Sequence, residues 1–172
     1  MLRFISLVLF IFLSTPTYAA DMSLTSQAFA EGITIPVLYT CDGKDISPDL
    51  HWANLPEKTQ TTAIILSDQD APNGIFYHWV IFNIPVKVNE LAEAIKILPS
   101  GALAGKNSWG KSQYNGPCPP KGALHHYTFT VYALDTTLSL PADTDAPTLL
   151  KTMQGHILGQ ATLKIGYSRW PV

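Results

Sequence analysis

Five stretches of the chain either alternate polar with apolar residues or are dense in β-branched and aromatic ones: residues 23–29, 61–67, 78–84, 127–134 and 161–167. They predict strands. In the last, Ala161, Leu163, Ile165 and Tyr167 share one face while Thr162, Lys164, Gly166 and Ser168 share the other, as in a sheet covered on one side. Helical signal is sparse. Asp145 is placed to cap a helix with Pro147 in its first turn, Leu149, Leu150, Met153 and Ile157 on its apolar face, and Gly159 at its end. A second short helix is expected across residues 88–97. Between these elements run two long irregular stretches, residues 36–52 and 99–122, rich in Gly, Pro, Asp and Asn. Loops of that length in a small domain are usually functional. The expected fold is mainly β: a β-sandwich of two antiparallel sheets with one or two short helices.

The start of the chain has a different pattern. Arg3 precedes an apolar run from Phe4 to Leu13, broken only by Ser6, and then Ser14, Thr15, Pro16, Thr17, Tyr18, Ala19 and Ala20. This is the pattern of a secretory signal peptide, with a cut before Ala20 or before Asp21. The alternative is a retained anchor, for which the run is about half the roughly 20 residues a spanning helix needs. The expected organisation is a leader over residues 1–20 and one domain over 21–172, in the periplasm or secreted. Removing the leader deletes only Arg3 among the charges.

Of 172 residues, 47% are hydrophobic and 14% charged, which supplies a core and argues against disorder. A net charge of -2 with no basic run lacks the electrostatic footprint of a nucleic-acid binder. Export changes the reading of Cys41 and Cys118, because thiols in an oxidising compartment pair or need a reason not to. One pairing exists, and the chain-entropy account gives a loop of this length roughly 4.5 kcal/mol. The alternative is two unpaired thiols flanking one pocket. Without a Cys-x-x-Cys spacing, metal binding by these two alone is weakly supported.

Candidate chemistry gathers in two places. The strand at residues 61–67 runs into Asp68, Gln69, Asp70, Ala71 and Pro72, and Asp68 and Asp70 share a face if the chain stays extended. A short loop then leads to His78, the first polar residue of an apolar strand. The second cluster is Gly116, Pro117, Cys118, Pro119, Pro120, Lys121 and Gly122, followed by His125, His126 and Tyr127. The prolines make a stiff wall. His125 and Tyr127 fall on one strand face and His126 on the other. Three of the chain's five histidines lie in these two segments. Imidazoles and a phenol suit an oxyanion, and a neighbouring carboxylate raises a histidine toward its protonated form. The bland alternative is a set of ordinary hydrogen-bonded histidines and a capping aspartate.

These motifs, together with Tyr39, Thr40, Cys41, Asp42, Gly43, then Ser47, Pro48, Leu50, Trp52, and later Gly155, His156, Ile157 and Leu158, resemble the phosphatidylethanolamine-binding protein family. The bacterial Raf kinase inhibitor-like branch is the nearer match. The resemblance spans the whole chain after the leader. It implies a β-sandwich with an anion pocket for phosphate-bearing headgroups, with no metal or organic cofactor. Carried over by position, the ligand-binding residues are Asp68, Asp70, Pro72, His78, Gly116, Pro119, His125 and Tyr127. One departure is His126, where the family commonly has Arg, so a titratable group replaces a permanent cation.

The leading functional expectation is an exported, non-enzymatic binding protein for phosphate, a phosphorylated small molecule or a lipid headgroup. The alternative is an inhibitor or signalling partner of an extracytoplasmic or host protein. A hydrolase ranks below both, because Gly-x-Ser-x-Gly and His-Glu-x-x-His are absent, although a zinc site from Asp68, His78 and His125 is conceivable. The resemblance also makes homodimers an open expectation.

Overall fold

The computed structural model describes residues 20–170. The leader expected over residues 1–20 therefore lies almost wholly outside the described residues. The described residues form two antiparallel sheets and one α-helix. The smaller sheet contains β1 (Ser23–Thr25), β2 (Leu50–Ala53) and β5 (Glu90–Leu91) in the order β1-β2-β5. The larger has the order β6-β4-β3-β7-β8, from β3 (Thr61–Asp68), β4 (Phe76–Pro85), β6 (Leu103–Ala104), β7 (Leu124–Leu134) and β8 (Ile157–Ser168).

Two apolar layers explain why β3 is buried along its whole length. Ile64 and Leu66 face the smaller sheet and pack in one core with Leu50, Trp52, Phe129 and Leu163. Ala63 and Ile65 face the other way, against the helix residues Ala146, Leu149 and Met153. A strand covered on both faces reads as a continuous apolar run rather than an alternation.

The helix α1 (Ala146–Met153) starts as the sequence indicates, with the Asp145 carboxylate accepting from the Thr148 amide at 2.9 Å. It ends earlier than expected. Gly155 takes a φ of +84°, which stops the helix, and Ile157 and Gly159 belong to β8. Residues 88–97 are not helical. Glu90–Leu91 pairs instead with Leu50–His51, and Ala94 sits at a φ of +51°, outside any helix. The first strand also stops short of residue 29. The Asp49 carboxylate accepts from the Ser26 hydroxyl and from the amides of Gln27 and Ala28, which turns the chain.

Cys41 and Cys118 form a disulfide, with Cα atoms 5.4 Å apart. It ties the two long loops together beside the end of β3. Among the described residues no helix is long and apolar enough to cross a membrane.

Candidate functional site

The pairing of β3 with β4 contains an irregularity that decides where His78 points. Leu66 lies opposite Trp79 and Ser67 opposite Tyr77, so His78 is an extra residue on β4. A bulge of this kind frees a side chain from strict alternation. The His78 ring lies edge-on to Tyr127, 5.2 Å between centroids, at the end of the inter-sheet core. Its Nδ1 donates to the carbonyl oxygens of Asn115 at 3.0 Å and Gly116 at 3.1 Å.

Those carbonyls are themselves held. Asp45 accepts from the Gly116 amide at 2.6 Å and from the Asn115 side-chain amide at 3.2 Å. The Asn115 side-chain oxygen in turn accepts from Asn107 Nδ2 at 2.9 Å. Gly116 has to be glycine, since a Cβ there would collide with the Tyr39 carbonyl oxygen. It acts behind His78 as a backbone acceptor rather than on the cavity surface.

Opposite His78 stands β7. Asp68 is aligned with Tyr127 across the sheet. One Asp68 oxygen bonds His125 Nδ1 at 2.8 Å and the other accepts the Asp70 amide at 2.9 Å. All three side chains are buried, with relative exposures of 4% for Asp68, 7% for His125 and 0% for Tyr127. Among the described residues the Tyr127 hydroxyl has no partner within hydrogen-bonding geometry. Burial, and after it the nearby Asp68 charge, hold that phenol far above its usual titration range.

Between these groups lies a cavity of about 230 Å³. Asp68, His78 and His125 supply its polar lining, while Ala71, Pro72, Phe76, Trp109 and the run Cys118, Pro119, Pro120 supply the apolar remainder. Trp109 packs edge-on against Phe76 and His78, at 4.6 and 5.0 Å. The disulfide anchors the Pro119 wall to the loop at Cys41. A larger cleft of about 620 Å³ between Met22, Pro56 and Gln160 holds only exposed carboxylates, Asp21 and Glu57, so chemistry favours the smaller cavity.

Of the residues singled out from the sequence, Asp68, Pro72, His78, Pro119 and His125 line this cavity, Gly116 and Tyr127 pack against His78 without lining it, and Asp70 stands apart. The strand ends at Asp68, so the extended geometry that would align the two carboxylates is lost. Asp70 is exposed and takes both the amide and the Nδ1 of His126, at 2.8 and 2.6 Å. That hydrogen bond holds the Asp70 carboxyl below its ordinary range. His126 is therefore held at the surface as the partner of Asp70. The electrostatics of His78 also differ from expectation. Burial outweighs its backbone partners and the Asp68 charge, and its pKa is lowered from 6.5 rather than raised.

Among the described residues no group of three or more His, Cys, Asp or Glu side chains is arranged to hold a metal ion. The conceivable zinc site is therefore not assembled from Asp68, His78 and His125. Sequence reasoning missed Trp109 and the supporting Asp45. Trp109 sits in the flagged loop of residues 99–122, where an isolated tryptophan between polar residues was the available signal.

A family model described as phosphatidylethanolamine-binding protein matches residues 25–168. The chain belongs to that family. Curated relatives similar to it include a UPF0098 protein of Methanothermobacter thermautotrophicus, 44% identical over 83% of this chain and 95% of the relative. Another, from Aquifex aeolicus, is 43% identical over 87% and 90%. Among solved structures, a phosphatidylethanolamine-binding protein homologue from Chlamydia trachomatis superposes with a TM-score of 0.80 at 38% identity, covering 87% of this chain and 98% of that one. Escherichia coli YbcL, described as a new member of the mammalian PEBP family, gives 0.82 at 30% identity over 87% and 99%. Both solved phosphatidylethanolamine-binding protein relatives share the fold of this chain.

Proposed function

We propose that this protein is an exported, non-enzymatic binding protein whose cavity takes phosphate or a phosphorylated headgroup such as phosphoethanolamine. The observation that carries this reading is the convergence of His78 and the buried Asp68–His125 pair on one small cavity, with the Tyr127 ring edge-on to His78 behind it. At about 230 Å³ the cavity falls below the 300 to 1,000 Å³ usual for drug-sized ligands. It suits a headgroup and leaves acyl chains outside. Export is supported by the leader pattern before residue 21 and by the Cys41–Cys118 disulfide, with the binding domain over residues 21–172.

Calorimetric titration with inorganic phosphate and phosphoethanolamine at pH 6 tests this. Saturable one-to-one binding is expected, with affinity reduced at least about tenfold, or 1.4 kcal/mol, in His78→Ala. Urea unfolding of the variant should remain cooperative. Co-sedimentation with phosphatidylethanolamine vesicles separates the sources: retention on vesicles points to a lipid headgroup, and binding of the soluble ligands alone points to a free phosphorylated compound. Heat traces indistinguishable from buffer dilution for both soluble ligands would refute the reading.

A further inference from the structure

His78 is 2% exposed, and its Nδ1 faces two carbonyl oxygens. A carbonyl only accepts, so Nδ1 must hold a proton. In the neutral ring Nε2 is then a bare lone pair, which repels an oxyanion. Nε2 has no hydrogen-bond partner among the described residues. Nothing else in the cavity supplies a fixed positive charge, because neither Lys nor Arg lines it.

The titratable groups around the ring come from three elements. Asp68 on β3 and Asp45 in the loop before β2 are acidic and favour a charged ring, while burial opposes it. Tyr127 on β7 lies edge-on to His78, and His125 lines the same cavity. Phe76 and Trp109, the other rings against it, carry no charge. An arriving anion adds a further negative group, and the balance moves to the protonated form. We propose that capture of a tetrahedral oxyanion takes up one proton from solvent at Nε2 of His78, and that Asp45 is the positioning residue that reserves this nitrogen for it. The Nε2–H then donates to a ligand oxygen while Nδ1–H stays on the two carbonyls, and no other bond changes. Asp45 acts at a distance: its two oxygens fix the Gly116 amide and the Asn115 side chain, and so aim both carbonyls at Nδ1. Without it, either ring nitrogen could hold the single proton.

This inference rests on the oxyanion-binding reading, and sulfate is the discriminating probe because it brings no titratable proton near neutral pH. Sulfate titrations at pH 7.5 in Tris and in HEPES report protons taken up from the difference in buffer ionisation heat. About one proton per sulfate is expected, with affinity falling about tenfold per pH unit above neutrality. Labelled-histidine ¹⁵N spectra should show Nε2 of His78 becoming protonated on sulfate addition. In the ligand-free protein, Asp45→Ala should change the His78 spectrum from a single Nδ1–H tautomer to a mixture. Asn115→Ala, which keeps both carbonyls but loses one Asp45 contact, should shift it in the same direction if the first variant fails to fold.

Sulfate binding without proton uptake, or with uptake at His125 instead, overturns the proposal and leaves the binding reading standing, as does phosphate binding with His78 Nε2 unprotonated in the ¹⁵N spectrum. A His78 tautomer unchanged in both variants overturns the role of Asp45. No binding of either anion from pH 5.5 to 8 overturns the binding reading together with this one.

Discussion

His125 and His126 are neighbours on β7, and each holds an aspartate from the same short segment, Asp68 and Asp70. The Nδ1 to carboxylate distances are 2.8 and 2.6 Å, so the two contacts look alike. Their surroundings do not. The His125–Asp68 side chains are 9% and 6% exposed, whereas those of His126 and Asp70 are 66% and 42% exposed. Strand alternation sends one imidazole into the inter-sheet cavity and the next to solvent. The comparison teaches that burial, rather than the pairing of residue types, separates a site from a surface contact. A buried pair is expensive to break because the remaining partner is stranded, while an exposed one exchanges its partner for water.

The largest effect is expected from Asp68→Ala. It leaves His125 buried without a partner and removes the acceptor of the Asp70 amide, a loss of about 3 to 5 kcal/mol in urea unfolding. A change under about 1 kcal/mol would place the inner pair in the same class as surface contacts. Asp68→Asn should be milder, because the amide oxygen can still accept from a neutral His125.

Next in size is the pH dependence of the ligand-free protein. The folded-state pKa of His78 lies below its ordinary 6.5, so the unfolded chain binds the proton more readily. Stability is accordingly retained above pH 6.5 and lost as pH falls below it, by at most about 1.4 kcal/mol per pH unit for this one group. His78→Gln should flatten that part of a thermal-denaturation profile. The outer pair acts in another window. The pKa of Asp70 is lowered from 3.8, so its contribution is present above that value and lost only as pH falls through the depressed one.

The smallest effects are expected from Asp70→Asn, His126→Ala and His126→Arg. Each should leave urea midpoints close to the unsubstituted protein and phosphate affinity within about twofold, since this pair lies outside the cavity. His126→Arg replaces a titratable ring by a permanent cation. Loss of phosphate binding in His126→Ala would show that the two pairs act as one unit.

The inner site was legible where period-two alternation is strict. His125 and Tyr127 on one face and His126 on the other follow directly from β7, as does the placement of Asp68 at the end of a buried strand. The orientation of His78 was hidden, because the bulge lies in a strand whose neighbouring residues are apolar on both faces and alternation leaves no trace. Asp70 was misplaced for a related reason: nothing in Asp68-Gln69-Asp70 marks where the extended backbone ends. The helix expected over residues 88–97 had adequate local propensity but lost to tertiary pairing of Glu90–Leu91 with β2. The overlong α1 came from Ile157, which continues the apolar spacing of Leu149 and Met153 although Gly155 has already turned the chain. The Asp45 scaffold joins loops some seventy residues apart in sequence, and no local pattern signals such a contact.

A crystal structure of the protein grown with phosphoethanolamine at pH 6 would test the central claim most directly. The account predicts a phosphate group seated between His78 and His125, with Nε2 of His78 within hydrogen-bonding distance of one of its oxygens. A fully occupied ligand elsewhere on the surface, with this cavity holding only water, would contradict it.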